Sequence, residues 1–154
     1  MKLAHWSAKL LFVRLAVLAL IAFAGCNDLR DYRGDWTGPR VGTDPSVKVG
    51  VTDDARARLS IDALDPHGIH ATLSVDGLLT GADVTSLAGA EADALAGVTF
   101  AGSPLRVYFA FVDVPDGGGQ AMVIVALFPE QRIEVRLLRG GTAPIYAIFA
   151  LGEA

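Results

Sequence analysis

Side chains able to do chemistry are few in this 154-residue chain, which has one cysteine, Cys26, and three histidines, His5, His67 and His70. His67 lies in the turn-forming run Asp65-Pro66-His67-Gly68, and His70 opens the apolar-alternating run that follows. Two imidazoles with the Asp65 carboxylate are ligand types that suit Zn²⁺. A solvated turn accounts for the same residues without a metal. No G-x-S-x-G elbow, H-E-x-x-H helix, Walker loop or dinucleotide fingerprint occurs. Asp53-Asp54 reads as a turn, and Gly117-Gly118-Gly119 has no following helix or lysine to hold a phosphate, so it reads as a hairpin tip. Carboxylate pairs for a hydrolase meet in space and are not addressed by spacing. No catalytic residue and no cofactor is assigned, and a hydrolase stands as a third option behind two binding roles.

Cys26 has a more specific context. Lys2, Lys9 and Arg14 precede an unbroken apolar run from Leu15 to Phe23. That is the length of a signal-peptide core and well short of the roughly 20 apolar residues that a spanning helix needs. The tetrad Phe23-Ala24-Gly25-Cys26 resembles the lipobox of bacterial lipoproteins, in which small residues before cysteine admit the lipoprotein signal peptidase. The resemblance implies cleavage before Cys26, diacylglycerol on its thiol and a membrane anchor made of acyl chains. Phe23 stands where the family usually carries Leu or another aliphatic residue. Ala22-Phe23-Ala24 also meets the rule for ordinary secretory cleavage, which would leave a lone thiol in an oxidising compartment. Asn27 stands where an Asp would favour inner-membrane retention in enteric bacteria, so the expected address is the cell envelope, at the outer membrane and facing the periplasm. The expected organisation is a signal peptide over residues 1–25, lipidated Cys26 with a polar tether over 26–33, and one domain over 34–154.

Removing residues 1–25 takes three of the thirteen basic residues and no acidic ones, leaving ten against seventeen and a formal charge of −7. Such a balance argues against nucleic acid and against electrostatic adhesion to anionic lipid. With no second cysteine, packing alone must hold the domain together.

The body alternates apolar and polar residues with a period of two: Val47, Val49, Val51; then Ala57, Leu59, Ile61, Ala63; then Ile69, Ala71, Leu73, Val75. Four further strands are expected at 105–114, 120–128, 132–139 and 143–151, divided by Gly- and Pro-containing turns. A first strand at Trp36 and a weak one near 98–101 bring the count to eight or nine. The fold expected is all-β, an antiparallel meander closing into a small barrel or sandwich. Residues 83–96 read as one short helix or lid, with Ser86 as its N-cap.

The early hairpin has one polar face, whereas the late strands are apolar on both faces, apart from the charged outer row Arg132, Glu134 and Arg136 of the strand at 132–139. Phe109 and Phe111 are backed by Tyr108 and Ala110, Ile124 by Val123 and Val125, and Tyr146 by Ile145. A strand apolar on both faces must be covered on both. The outer face is therefore expected to lie under another segment of the chain or to form an interface with a protein partner, a second copy or the membrane.

Gly34-Asp35-Trp36 is similar to the Gly-x-Trp that opens the first strand of lipocalins and other calycins. That resemblance implies a Trp closing one end of the barrel and a small apolar ligand held inside. Two functions are thus expected. The first is a non-enzymatic, lipid-anchored envelope protein that binds or supports a partner through the late strands. The alternative is an apolar-ligand carrier, with Trp36, Phe109, Phe111, Val123 and Val125 as its lining.

Overall fold

The computed structural model describes residues 29–42, 48–86, 99–115 and 118–154. Nine strands follow a short 3₁₀ turn, Leu29–Tyr32. They are β1 (Gly34–Val41), β2 (Lys48–Val49), β3 (Arg56–Asp65), β4 (Gly68–Val75), β5 (Leu79–Thr85), β6 (Arg106–Asp113), β7 (Gln120–Phe128), β8 (Arg132–Arg139) and β9 (Ile145–Glu153). All pairings are antiparallel and the sheet order is β5-β4-β3-β1-β9-β8-β7-β6, with β2 added to β9. Apart from β2, this is an eight-stranded meander whose first and last strands pair. The wall is a nearly closed barrel, because β5 and β6 run side by side without a shared ladder.

The alternation expected from the sequence builds the early strands. Ala57, Leu59 and Ile61 of β3 and Ile69, Ala71, Leu73 and Val75 of β4 point into the core, and Arg58, Asp62, His70 and Thr72 face solvent. One bulge breaks the phase: the β3–β4 register shifts between Ile61 and Ala63, so Ala63 is exposed and Leu64 turns inward. The Asp65 side chain closes the following hairpin by accepting from the backbone N–H groups of His67 and Gly68, at 2.7 and 2.9 Å.

Two differences from the sequence reading concern the middle of the chain. Residues 79–85 form β5, which the alternation rule overlooks, so residues 83–85 belong to a strand. The helix expected over the rest of 83–96 falls almost wholly outside the described residues. Ser86 continues the pairing with β4, its N–H donating to the Ile69 carbonyl and its Oγ accepting from the Ile69 N–H, both at 3.0 Å. The weak strand near 98–101 is not formed at residues 99–101.

Both ends of the barrel are built over. At the basal end the 3₁₀ turn lies across the opening. Tyr32 is buried, its ring stacks on Trp36 with centroids 6.0 Å apart, its carbonyl accepts from the Trp36 indole N–H at 3.0 Å, and its hydroxyl donates to the Phe128 carbonyl. Tyr108 of β6 reaches the same end and donates its hydroxyl to the Asp65 carbonyl at 2.8 Å. Residues 29–32, expected to belong to a tether over 26–33, are therefore part of the fold. At the distal end the Lys48–Ala55 segment crosses the opening. Val51 packs against the core, and the Arg40 guanidinium donates to the Val51 carbonyl and the Asp53 carboxylate. Gly38 brings β1 against β9 so closely that a Cβ there would strike the Ala150 carbonyl.

Candidate binding surface

Cross-strand register sorts the late strands into an inner and an outer face. Tyr108, Ala110 and Val112 of β6, Val123, Val125 and Leu127 of β7, Ile133, Val135 and Leu137 of β8, and Ala147, Phe149 and Leu151 of β9 belong to the core. Phe109 and Phe111 are on the opposite face, paired with Ile124 and Met122. The residues expected to line a cavity together are thus divided by the wall: Trp36, Val123 and Val125 face in, and Phe109 and Phe111 face out.

The outer face has two parts. Ile124 and Phe128 are covered, with 0% and 1% exposure. Over this part lies the segment leading into β6, where Phe100 packs edge-on against Phe128 at 5.9 Å. Arg136 holds the segment in place: Nη2 donates to the Thr99 carbonyl at 2.8 Å, Nε donates to Glu134 at 2.6 Å, and the guanidinium lies 4.6 Å from the Phe100 ring centre. Arg136 and Glu134 are both buried, and a buried pair of this kind is tolerable because each charge is answered.

The second part is open. Phe111 pairs with Met122, Met122 with Leu138, Leu138 with Tyr146, and Tyr146 with Val49. These five residues form one continuous row across five strands. Phe111 is 48% exposed and the other four are half-buried. Ile148 and Val41, also half-buried and paired with each other, extend the apolar surface toward β1. Phe111, Ile124 and Tyr146, all singled out from sequence, therefore have different fates: Phe111 and Tyr146 belong to the open row and Ile124 to the covered part. Leu138 and Val49 were missed as members. The alternation within β8 shows Leu138 on the outer face, but its neighbours across the sheet follow only from register.

The remaining side chains with chemical potential are dispersed. His70 lies 3.5 Å from Asp62 and 3.9 Å from Asp83 on the solvent face of β3, β4 and β5. His67 is exposed in the β3–β4 turn, where Asp65 is engaged by backbone N–H groups. Among the described residues, no group of three His, Cys, Asp or Glu side chains gathers as a metal would require. A groove of about 330 Å³ on the outside of β1, β3 and β4 is bordered by Asp35, Thr37, Arg58, Ser60, Thr72 and Ser74, and Ser60 donates to Asp35 within it at 2.6 Å. Burial pushes the Tyr108 hydroxyl up to about 12, and the Tyr32 hydroxyl is also raised, again chiefly by burial. Cys26 lies outside the described residues.

Arg40 was not singled out from the sequence. Its two-residue spacing from Gly38 and four from Trp36 puts it on the inner face, and its side chain is 1% exposed. Its Nε has no hydrogen-bond partner, and its charge is met by Asp53, which is itself largely solvent-exposed. Comparison with family models, curated proteins and solved structures finds no match to this chain.

Proposed function

We propose that this chain is a lipid-anchored binding domain of the bacterial cell envelope, held to the membrane through Cys26 and without a catalytic role. It engages a protein partner, or a second copy of itself, through the open row Phe111, Met122, Leu138, Tyr146 and Val49. The observation that carries this reading is the register that lines these five apolar residues up on one solvent-facing surface, beside a part of the same face that the chain covers with its own Phe100 segment. A contiguous apolar patch left open beside one that is covered marks an interaction site. Export, lipidation and placement at the outer membrane rest on Lys2, Lys9, Arg14, the Leu15–Phe23 core, Ala24-Gly25-Cys26 and Asn27.

The test is native mass spectrometry of residues 27–154 with and without Phe111→Asp. A dimer that the substitution dissociates supports self-association, and a monomer that captures one envelope protein through Phe111 supports a heterologous partner. A monomer for which no partner depends on Phe111 contradicts the reading.

The calycin-like carrier is the second reading. It is supported by Trp36 closing the basal end of an eight-stranded meander and by Arg40, a buried cation with an unpartnered Nε on an otherwise apolar inner face. Extra mass of a few hundred daltons on the native monomer would favour it.

A further inference from the structure

The 3₁₀ turn that begins the described chain is fixed rigidly to the barrel, and only Asn27 and Asp28 separate it from Cys26. Three Cα-to-Cα steps of about 3.8 Å reach no further than about 11 Å. Leu29 cannot drift farther than that from an acylated cysteine; its side chain packs against the core, and Tyr32, three residues on, is held by its stack on Trp36, its carbonyl's hydrogen bond from the Trp36 indole and its hydroxyl's hydrogen bond to Phe128. Strands of seven to ten residues, tilted as in an eight-stranded barrel, separate the two ends by roughly 20 Å. The tether is therefore too short for the barrel to turn over.

From this geometry, and resting on the reading of Cys26 as lipid-anchored, we infer that the basal end of the barrel docks on the phospholipid headgroups. Among the described residues, the docking surface comprises the 3₁₀ turn, the β3–β4 turn and the β7–β8 turn. Its exposed charges are mixed, with Arg30, Arg33, Arg106 and Arg132 interspersed with Asp31, Asp65 and Glu130. Such a surface suits polar contact with headgroups and resists insertion among acyl chains, so the short tether sets the orientation and bulk charge does not. The open apolar row is in the distal half of the wall, since Phe111 and Leu138 come late in β6 and β8 and Met122 and Tyr146 come early in β7 and β9. End-on docking holds that row away from the bilayer, where a protein can reach it.

The test uses the full chain, processed in a bacterium and reconstituted into phosphatidylethanolamine–phosphatidylglycerol vesicles containing a headgroup-attached nitroxide quencher. Once Cys26 is acylated no native thiol remains, so a single introduced cysteine carries the fluorophore. His67→Cys labels the basal β3–β4 turn. Gly140→Cys labels the distal β8–β9 turn, where a Cβ meets nothing within 4 Å. Quenching at position 67 is expected to exceed that at position 140 at least twofold. Inserting twelve Gly/Ser residues between Asp28 and Leu29, a linker with a reach of about 20 Å, is expected to abolish the contrast. Equal or reversed quenching in a chain shown by intact mass to be lipidated overturns the docking. A contrast that survives the insertion overturns the tether as its cause. A chain whose mass lacks the lipid and which does not float with vesicles overturns the anchored reading, and the docking with it.

Discussion

The Trp36 indole donates to the carbonyl of Tyr32 while the two rings stack 6.0 Å apart, so that the first strand and the turn before it close the barrel as one unit. Through the Tyr32 hydroxyl, which donates to the Phe128 carbonyl, the same unit is tied to the far side of the wall. The 3₁₀ turn is thus a structural lid on the basal end.

Trp36→Ala is expected to destabilise the domain by about 3–5 kcal/mol, the usual cost of emptying a buried Trp site. Tyr32→Phe removes only the hydroxyl, leaves the stack in place and is expected to cost about 1 kcal/mol. Urea unfolding followed by far-ultraviolet circular dichroism reads both. Equal losses would mean that the ring contact contributes little beyond the hydrogen bond.

Phe111 and Ile124 lie on the same face of the sheet but should respond oppositely to a carboxylate. Ile124→Asp places a carboxylate in the covered part of the face, opposite an Arg136 already engaged by Glu134 and Thr99, and is expected to cost more than about 2 kcal/mol. Phe111→Asp adds a charge to an open surface and is expected to change stability by less than about 0.5 kcal/mol. Thermal melts of the two variants, each beside wild type, decide the matter.

How much of this was legible beforehand depended on the strand. β3 and β4 could be read because each has one polar face, so a period of two fixes inside and outside. β5 could not: it has Gly81 at φ +60°, a register shift opposite Leu73–Val75, and inward residues Leu79 and Val84 five apart, which breaks the period. In β6 and β7 both faces are apolar, so alternation carries no information about which one is buried. There Tyr108 rather than Phe109 points inward because its neighbours across the ladder, Val125, Val135 and Phe149, share the core. Arg136 and Glu134 read from the sequence as part of a charged outer row, and they are buried where the Thr99–Phe100 segment folds over them.

Tyr108 gives stability a pH dependence at the alkaline end. Its folded-state value is raised from 10.0 to about 12 by burial, so the native state favours the neutral phenol. The contribution is complete below pH 10 and is lost as pH rises from 10 to about 12, because the unfolded chain ionises first. Tyr108→Phe should flatten the decline in denaturation midpoint over that window. The raised Tyr32 hydroxyl acts with the same sign, so the double variant should be flatter still.

Gly38→Ala tests the close approach of β1 and β9. A methyl group there meets the Ala150 carbonyl and the Leu151 backbone, which cannot rotate away as a side chain would. The β1–β9 pairing is what closes the meander, so the expected loss is at least the ~1–3 kcal/mol of ordinary overpacking. Hydrogen exchange should show the loss first in β1 and β9, with β3 and β4 protected longer.

The most direct test of the binding function is photo-crosslinking in living cells with a benzophenone amino acid at position 111, compared with the same residue at position 72 on the polar side of the barrel. The row Phe111–Tyr146 as a partner-binding surface requires a discrete protein adduct at 111 that is absent at 72. No adduct at 111, or the same adducts at both positions, would contradict it.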